Sequence, residues 1–229
     1  MSEYTIPWDN LAEVSENKKT GIIRDLELPE TATLKEKNLI FYPGYTLVQA
    51  RIESSDSKPE EKYFIWKPGD VDCIQLDGSS IPIHDANERA CLKLNQDTVK
   101  DYIRFFCDFV CGEAGPFTII EGLGSPRFER KYQTYIDQAK FNIEGQDELV
   151  EGKGVPNDKK EEIIARISPM EIREIDGEFK VDVCVWYDTI LFKAEFTVAT
   201  DGWAEMADDA VLLKFPSTGV TPWHDAPEL

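Results

Sequence analysis

Two consecutive segments in the last third of the chain alternate between apolar and polar residues. In EFKVDVCVWY (178–187) every second residue from 179 to 185 is apolar, and in ILFKAEFTVA (190–199) the same holds from 190 to 198. Side chains two positions apart in a strand face the same side of a sheet. The spacing therefore predicts two β-strands with a shared apolar face, which another part of the chain must cover.

Turn signals on both sides extend these strands into a meander. Asp176 with Gly177, and Asp201 with Gly202, are residue pairs typical of tight hairpin turns. The segment before the first pair is strand-like but contains Pro169, which favours an edge strand, and residues 203–215 supply a last strand. The sequence thus predicts a four-stranded antiparallel meander with one apolar and one polar face.

A helix that is apolar around most of its circumference is predicted over residues 98–111. Its apolar positions recur three and four residues apart, at Val99, Tyr102, Ile103, Phe106 and Val110. Thr98 and Asp101 form the expected capping pair at its start, and Gly112 is expected to close it in the left-handed conformation. Such a helix usually packs against a sheet, and the following PFTIIE predicts a short strand.

Weaker patterns predict the remaining elements. We expect a short helix over residues 8–16, strand pieces on both sides of the turn at Pro43 and Gly44, and a hairpin around residues 68–69. Residues 81–95 are expected to form a loop with a short apolar piece. A second helix is expected over residues 127–140.

Together these elements predict an α+β fold: an antiparallel β-meander packed against one or two helices, with additional N-terminal hairpin strands. The chain divides into an N-terminal α+β region (1–145), a loop or linker (146–160), the meander (161–215) and an extended tail (216–229). We expect the first region and the meander to pack as one compact unit. The layout resembles the helix-in-a-curled-sheet arrangement of cystatin-like and NTF2-like folds, and a shared layout assigns no function.

The formal charge of −19 constrains the classes of partner. Nucleic acids and anionic membranes bind clustered Lys and Arg, so we expect neither as a partner. The charge either serves solubility or forms an acidic face that engages a basic protein partner. No apolar run is long enough for a membrane span, and the N-terminus lacks the pattern of a signal peptide. Five cysteines without framework spacing indicate thiols, so the expected location is cytoplasmic.

One candidate site combines a helix start with positive charge. Ser125 is a suitable N-cap for the helix predicted over 127–140, and Arg127, Arg130 and Lys131 fall in or beside its first turn. Cations oppose the helix dipole there unless an anion is bound, which suggests an anion-binding site. The alternative is that these cations pair with neighbouring carboxylates.

A second candidate rests on the two histidines, which occur in similar strings. His84 with Asp85, and His224 with Asp225, place an imidazole beside a carboxylate and suggest acid/base chemistry. The alternative is that both are surface-loop histidines. No catalytic residue, metal site or cofactor is predicted beyond these candidates.

Two functions remain open from the sequence. The first is a non-enzymatic protein-interaction or inhibitory module that docks a basic partner through its acidic surface. The alternative is a small-molecule or anion-binding protein, with enzymatic activity included, whose pocket lies between helices and curved sheet. The aromatic residues available to line such a pocket are Trp66, Phe105, Phe109, Trp186 and Trp203.

Overall fold

The computed structural model describes residues 11–54, 58–69, 73–122 and 165–214, which form an α+β fold built from antiparallel sheets. This confirms the predicted fold class. Its helices are α1 (Glu16–Asp25), α2 (Ile81–Arg89) and α3 (Val99–Phe109). Its strands are β1 (Ala12–Glu13), β2 (Thr33–Asn38), β3 (Thr46–Ile52), β4 (Glu60–Trp66), β5 (Ile74–Leu76), β6 (Cys111–Gly112), β7 (Gly115–Pro116), β8 (Thr118–Ile120), β9 (Glu171–Ile175), β10 (Glu178–Tyr187), β11 (Ile190–Ala199) and β12 (Ala204–Lys214).

The first sheet has the order β1-β2-β3-β4-β5, with every neighbouring pair antiparallel. Helix α1 packs on one side of it, where Ile22 joins Val48 and Phe64 in a core cluster. The helix predicted over residues 8–16 is wrong in its described part, because residues 12–13 form β1 and α1 begins at Glu16. Glu16 suits a first helical turn, since the helix dipole favours negative charge there.

The apolar run LIFY was expected to be a strand before the Pro43 and Gly44 turn, and this prediction is wrong. Strand β2 ends at Asn38, and residues 39–45 form the connection to β3. Phe41 and Tyr42 are buried in this connection, and the Phe41 ring lies 5.5 Å from that of Tyr102 in α3. Leu39, Phe41 and Tyr42 of this run are therefore apolar because they belong to the core that covers the helix, whereas Ile40 is exposed. The β4–β5 hairpin is confirmed.

The meander is confirmed, and β10 and β11 have the predicted bounds. The second sheet has the order β12-β11-β10-β8, with β9 also pairing with β10. The prediction of a polar outer face is wrong at one end, since Cys184 and Trp186 are both fully buried there. Strand β8 pairs alongside them, with Ile120 opposite Cys184, so this end of the outer face is apolar across two strands.

Helix α3 ends earlier than predicted, at Phe109 instead of residue 111. Gly112 does not close it in the left-handed conformation but belongs to β6, which pairs with β7. A Cβ at Gly112 would collide with the hydroxyl of Tyr187, so close approach explains this glycine. Thr98 makes no side-chain cap hydrogen bond, and Asp101 pairs instead with Arg104 at 2.8 Å.

One hydrophobic core cluster contains residues of the first sheet, α2, α3 and the inner face of the meander. Tyr63, Ile83, Phe105 and Val183 represent these four parts. The meander is therefore covered by helix, as predicted. The helix predicted over 127–140 and the tail at 216–229 lie outside the described residues, and the division into regions stays a prediction.

Candidate functional site

Residues 81–89 form a helix, and the loop predicted for them is wrong. Pro82 lies in the first turn of α2, where proline is tolerated because the first amide hydrogens need no partner within the helix. Ile83 and Ala86, three positions apart, are buried against the core. His84 therefore stands on a helix between the buried Ile83 and the exposed Asp85, with its own side chain half-buried.

The imidazole of His84 stacks on the indole of Trp203, with ring centroids 4.8 Å apart and an interplanar angle of 22°. The ring of Phe106 lies on the core side, 6.2 Å from the imidazole. Trp203 is 58% exposed, although tryptophan is usually among the most buried side chains. An aromatic platform thus lies at the surface, with one face of the indole covered by His84.

The hairpin turn between β11 and β12 fixes the position of Trp203. Gly202 has a φ of 87°, in the left-handed region that glycine adopts without strain. Asp201 Oδ1 accepts a hydrogen bond of 3.1 Å from the Trp203 amide, and the Ala199 amide donates one of 2.8 Å to the Trp203 carbonyl. Hydrogen bonds at both the amide and the carbonyl of Trp203 therefore hold its backbone in place.

A chain of buried hydrogen bonds ties this turn to α2 and α3. Tyr42 donates to Asn87 Oδ1, Asn87 Nδ2 donates to the Tyr102 hydroxyl at 2.9 Å, and Tyr102 donates to the Gly202 carbonyl at 2.5 Å. Burial raises the pKa of both tyrosines, so their hydroxyls remain protonated donors at neutral pH. Buried, mutually satisfied polar groups of this kind rigidify a structure.

Beside the platform lies an open pocket of about 320 Å³, here called the Trp203 pocket. Its lining residues are His84, Asn87, Glu88, Cys91, Leu92, Asp201 and Trp203. Glu88 and Asp201 are exposed carboxylates from two different elements, and none of these described lining residues is a Lys or an Arg. The pocket therefore combines an aromatic surface with negative charge.

Burial lowers the pKa of His84 below its ordinary value, and the negative charge of Asp201 offsets only part of this effect. The lowered pKa disfavours the positively charged imidazolium at neutral pH. The Asp85 carboxylate does not pair with the His84 imidazole. It lies 3.8 Å from the guanidinium of Arg89, one turn further along α2. The acid/base role of His84 and Asp85 stays a prediction.

Ser125, Arg127, Arg130 and Lys131 lie outside the described residues. His224 and Asp225 also lie outside them. Within the described ranges, no three His, Cys, Asp or Glu residues come together in a group that could hold a metal ion.

Most of the Trp203 pocket was not singled out from the sequence. Trp203 and His84 were named for separate reasons, and nothing linked them. Asn87 and Glu88 were missed because residues 81–95 were expected to be a loop. The available signal was an Asp-Gly turn followed directly by tryptophan, a large apolar residue where a turn projects into solvent.

No family model matches the chain, and neither a curated protein nor a solved structure is significantly similar to it. Within the described residues, no helix is long and apolar enough to cross a membrane.

Proposed function

We propose that the protein is a non-enzymatic interaction module that docks a basic segment of a partner protein at the Trp203 pocket. The observation that carries this proposal is the exposed indole of Trp203, stacked on His84 and fixed by the hairpin turn beneath it. Tryptophan is enriched among the residues that contribute most to protein–protein binding. A side chain already held in place loses little conformational freedom when a partner binds.

The charge of the chain supports a basic partner. The formal charge is −19, and the pocket itself carries Glu88 and Asp201 without a lysine or arginine among its described lining residues. A negative surface accelerates the encounter with a positively charged segment and discriminates against acidic ones. The same two carboxylates disfavour an anion in this pocket.

A small-molecule ligand is the second candidate. The pocket volume of about 320 Å³ is at the lower end of the range of ligand sites. Its walls are largely exposed, however, and small-molecule sites usually enclose most of their ligand. The open shape therefore favours a side chain presented by a partner.

The proposed compartment is the cytoplasm. All five cysteines are free thiols, and Cys91 is exposed. Free exposed thiols persist where glutathione and thioredoxin keep cysteines reduced.

An array of short peptides with basic, neutral and acidic sequences tests the proposed function. We expect the wild-type protein to bind basic peptides and Trp203→Ala to bind them at least about thirtyfold more weakly, the minimum loss for a residue that dominates an interface. Glu88→Gln should weaken the binding of basic peptides less than Trp203→Ala does. This loss of binding should be larger at low salt than at high salt, because salt screens the missing charge.

Two matched variants control for nonspecific effects. Ile175→Ala truncates an exposed apolar side chain on β9, and Glu113→Gln removes one negative charge in the exposed β6–β7 turn. Both should bind basic peptides like the wild type. Equal binding by Trp203→Ala and Ile175→Ala, or no preference for basic peptides, would refute the proposed function.

A further inference from the structure

The Trp203 pocket offers three features to a ligand at once. These are a flat π surface, a carboxylate from α2 and a carboxylate from the β11–β12 turn. The indole has one face covered by the His84 imidazole, so a ligand meets the part of the ring that remains exposed. The bound group must therefore be flat enough to lie on a ring and must carry positive charge with several donors.

We propose that the group bound in the Trp203 pocket is an arginine side chain, stacked on Trp203 and hydrogen-bonded to Glu88 and Asp201. This inference rests on the proposed function and names the chemistry of the partner residue. A guanidinium is planar and weakly hydrated, stacks on aromatic faces and carries five donors in a rigid fork. It can therefore place its face on the ring and direct its edge donors toward the carboxylates that line the same pocket.

Lysine matches the pocket less well. Its ammonium group is a compact, strongly hydrated point charge, so it loses more hydration when it approaches an indole. Its three donors diverge from one nitrogen, so the ammonium presents no flat face to the ring while it donates to carboxylates.

Small analogues on the full-length chain test this inference. The probes are the Nα-acetyl methylamides of arginine, lysine and citrulline, the last being planar but uncharged. The readout is the NMR signal of the Trp203 indole N–H, assigned by its absence from Trp203→Phe. We expect the arginine analogue to shift this signal at about two- to fivefold lower concentration than the lysine analogue, the ratio expected if the arginine alone makes an exposed cation–π contact.

The citrulline analogue should leave the signal unshifted at those concentrations, because it lacks the charge that Glu88 and Asp201 attract. Glu88→Gln should reduce the affinity for the arginine analogue, whereas Glu113→Gln should not. Equal binding of lysine and arginine, or equal binding of citrulline and arginine, would overturn the inference and leave peptide binding by the module intact. No shift with any probe would overturn it too, whereas the proposed function fails only if Trp203→Ala binds basic peptides as tightly as Ile175→Ala does or if basic peptides are not preferred.

Discussion

At Gly202 two constraints act on the same residue. Its φ is 87°, and an added Cβ would lie 2.6 Å from Asn87 Nδ2 and 2.5 Å from Leu92 Cδ2. Gly177 occupies the same place in the β9–β10 hairpin, after Asp176, with a φ of 84° and nothing within 4 Å of an added Cβ. Both glycines therefore adopt the left-handed backbone conformation, but only Gly202 lies so close to other side chains that a Cβ would collide with them.

This pair predicts a difference in stability. Gly177→Ala should lower the free energy of unfolding by about 1–2 kcal/mol, the strain of a left-handed alanine. Gly202→Ala should lower it by about a further 1–3 kcal/mol, because Asn87 and Leu92 must move. Denaturant unfolding of both variants gives the comparison. An equal loss of stability in the two variants would show that Gly202 does not lie as close to Asn87 and Leu92 as described.

His84 gives the stability a pH dependence of known sign. Its pKa in the folded chain lies below the ordinary value of 6.5, mainly because burial disfavours the imidazolium. The unfolded chain therefore takes up this proton first as the pH falls, and the folded state loses stability below about pH 6.5 until the lowered pKa is passed. NMR titration of the imidazole should show the lowered pKa, and His84→Gln should reduce the slope of melting temperature against pH. A pKa at or above 6.5 would contradict the burial of this ring.

At the scale of single elements, α3 contributes many of the buried side chains of the main core cluster. Phe105 is fully buried, and its ring lies 5.3 Å from that of Phe41 and 4.9 Å from that of Phe109. Phe105→Ala should lower the free energy of unfolding by about 3–5 kcal/mol through lost burial and the cavity left behind. Ile40→Ala, at a residue that is 58% exposed, is the control and should change it by less than about 0.5 kcal/mol. An unchanged denaturant midpoint for Phe105→Ala would contradict the position of α3 in the core.

A row of carboxylates crosses the outer face of the meander. The strand register places Glu171 opposite Asp182, Asp182 opposite Glu195 and Glu195 opposite Asp208. Like charges in directly opposed positions are destabilising. Arg173 bridges the row, since its Nη2 lies 2.7 Å from Asp182 Oδ2 and 3.1 Å from Glu195 Oε2.

Removal of this bridge should therefore be sensitive to salt. Arg173→Gln should lower the melting temperature at low ionic strength, and the loss should shrink as salt screens the carboxylates. Arg51→Gln is the matched control: the Arg51 side chain is 48% exposed against 50% for Arg173, and it pairs with the nearby Glu53 alone among the described ion pairs. The measurement is the melting temperature of both variants across a series of salt concentrations. The same salt dependence in both variants would mean that the row does not destabilise the sheet.

An element could be predicted from the sequence when its own residues determine its structure, and it was missed when contacts from elsewhere in the fold determine it. Strands β10 and β11 alternate over most of their length, because each has one face on the core, and their bounds were predicted correctly. The alternation ends at Cys184 and Trp186, which are buried on the opposite face. Helix α2 was missed because Pro82 and a polar composition suggest a loop, whereas burial of Ile83 and Ala86 stabilises the helix through contacts from elsewhere in the fold. The run LIFY was misassigned because buried loops and strands are equally apolar.

At the scale of the whole molecule, the Trp203 pocket exists because distant parts of the chain meet. Its supporting hydrogen bonds join Tyr42 to Asn87 and Tyr102 to Gly202, which are 45 and 100 positions apart. No local pattern encodes such contacts, so the sequence supplied the aromatic residues, the histidine and the negative charge but not their arrangement. The formal charge of −19 needed no structure, and it remains the argument for a basic partner.

Chemical-shift mapping with the tightest basic peptide from the array tests the docking site most directly. The amide and indole signals of the full-length chain are followed as the peptide is added, at low and at high salt. We predict the largest shifts at Gly202, Trp203, Glu88 and Cys91, and weaker binding at high salt. Largest shifts on α1 or along the outer edge of β12, with the signals of Trp203 unmoved, would contradict the assignment of the Trp203 pocket as the site where the partner docks.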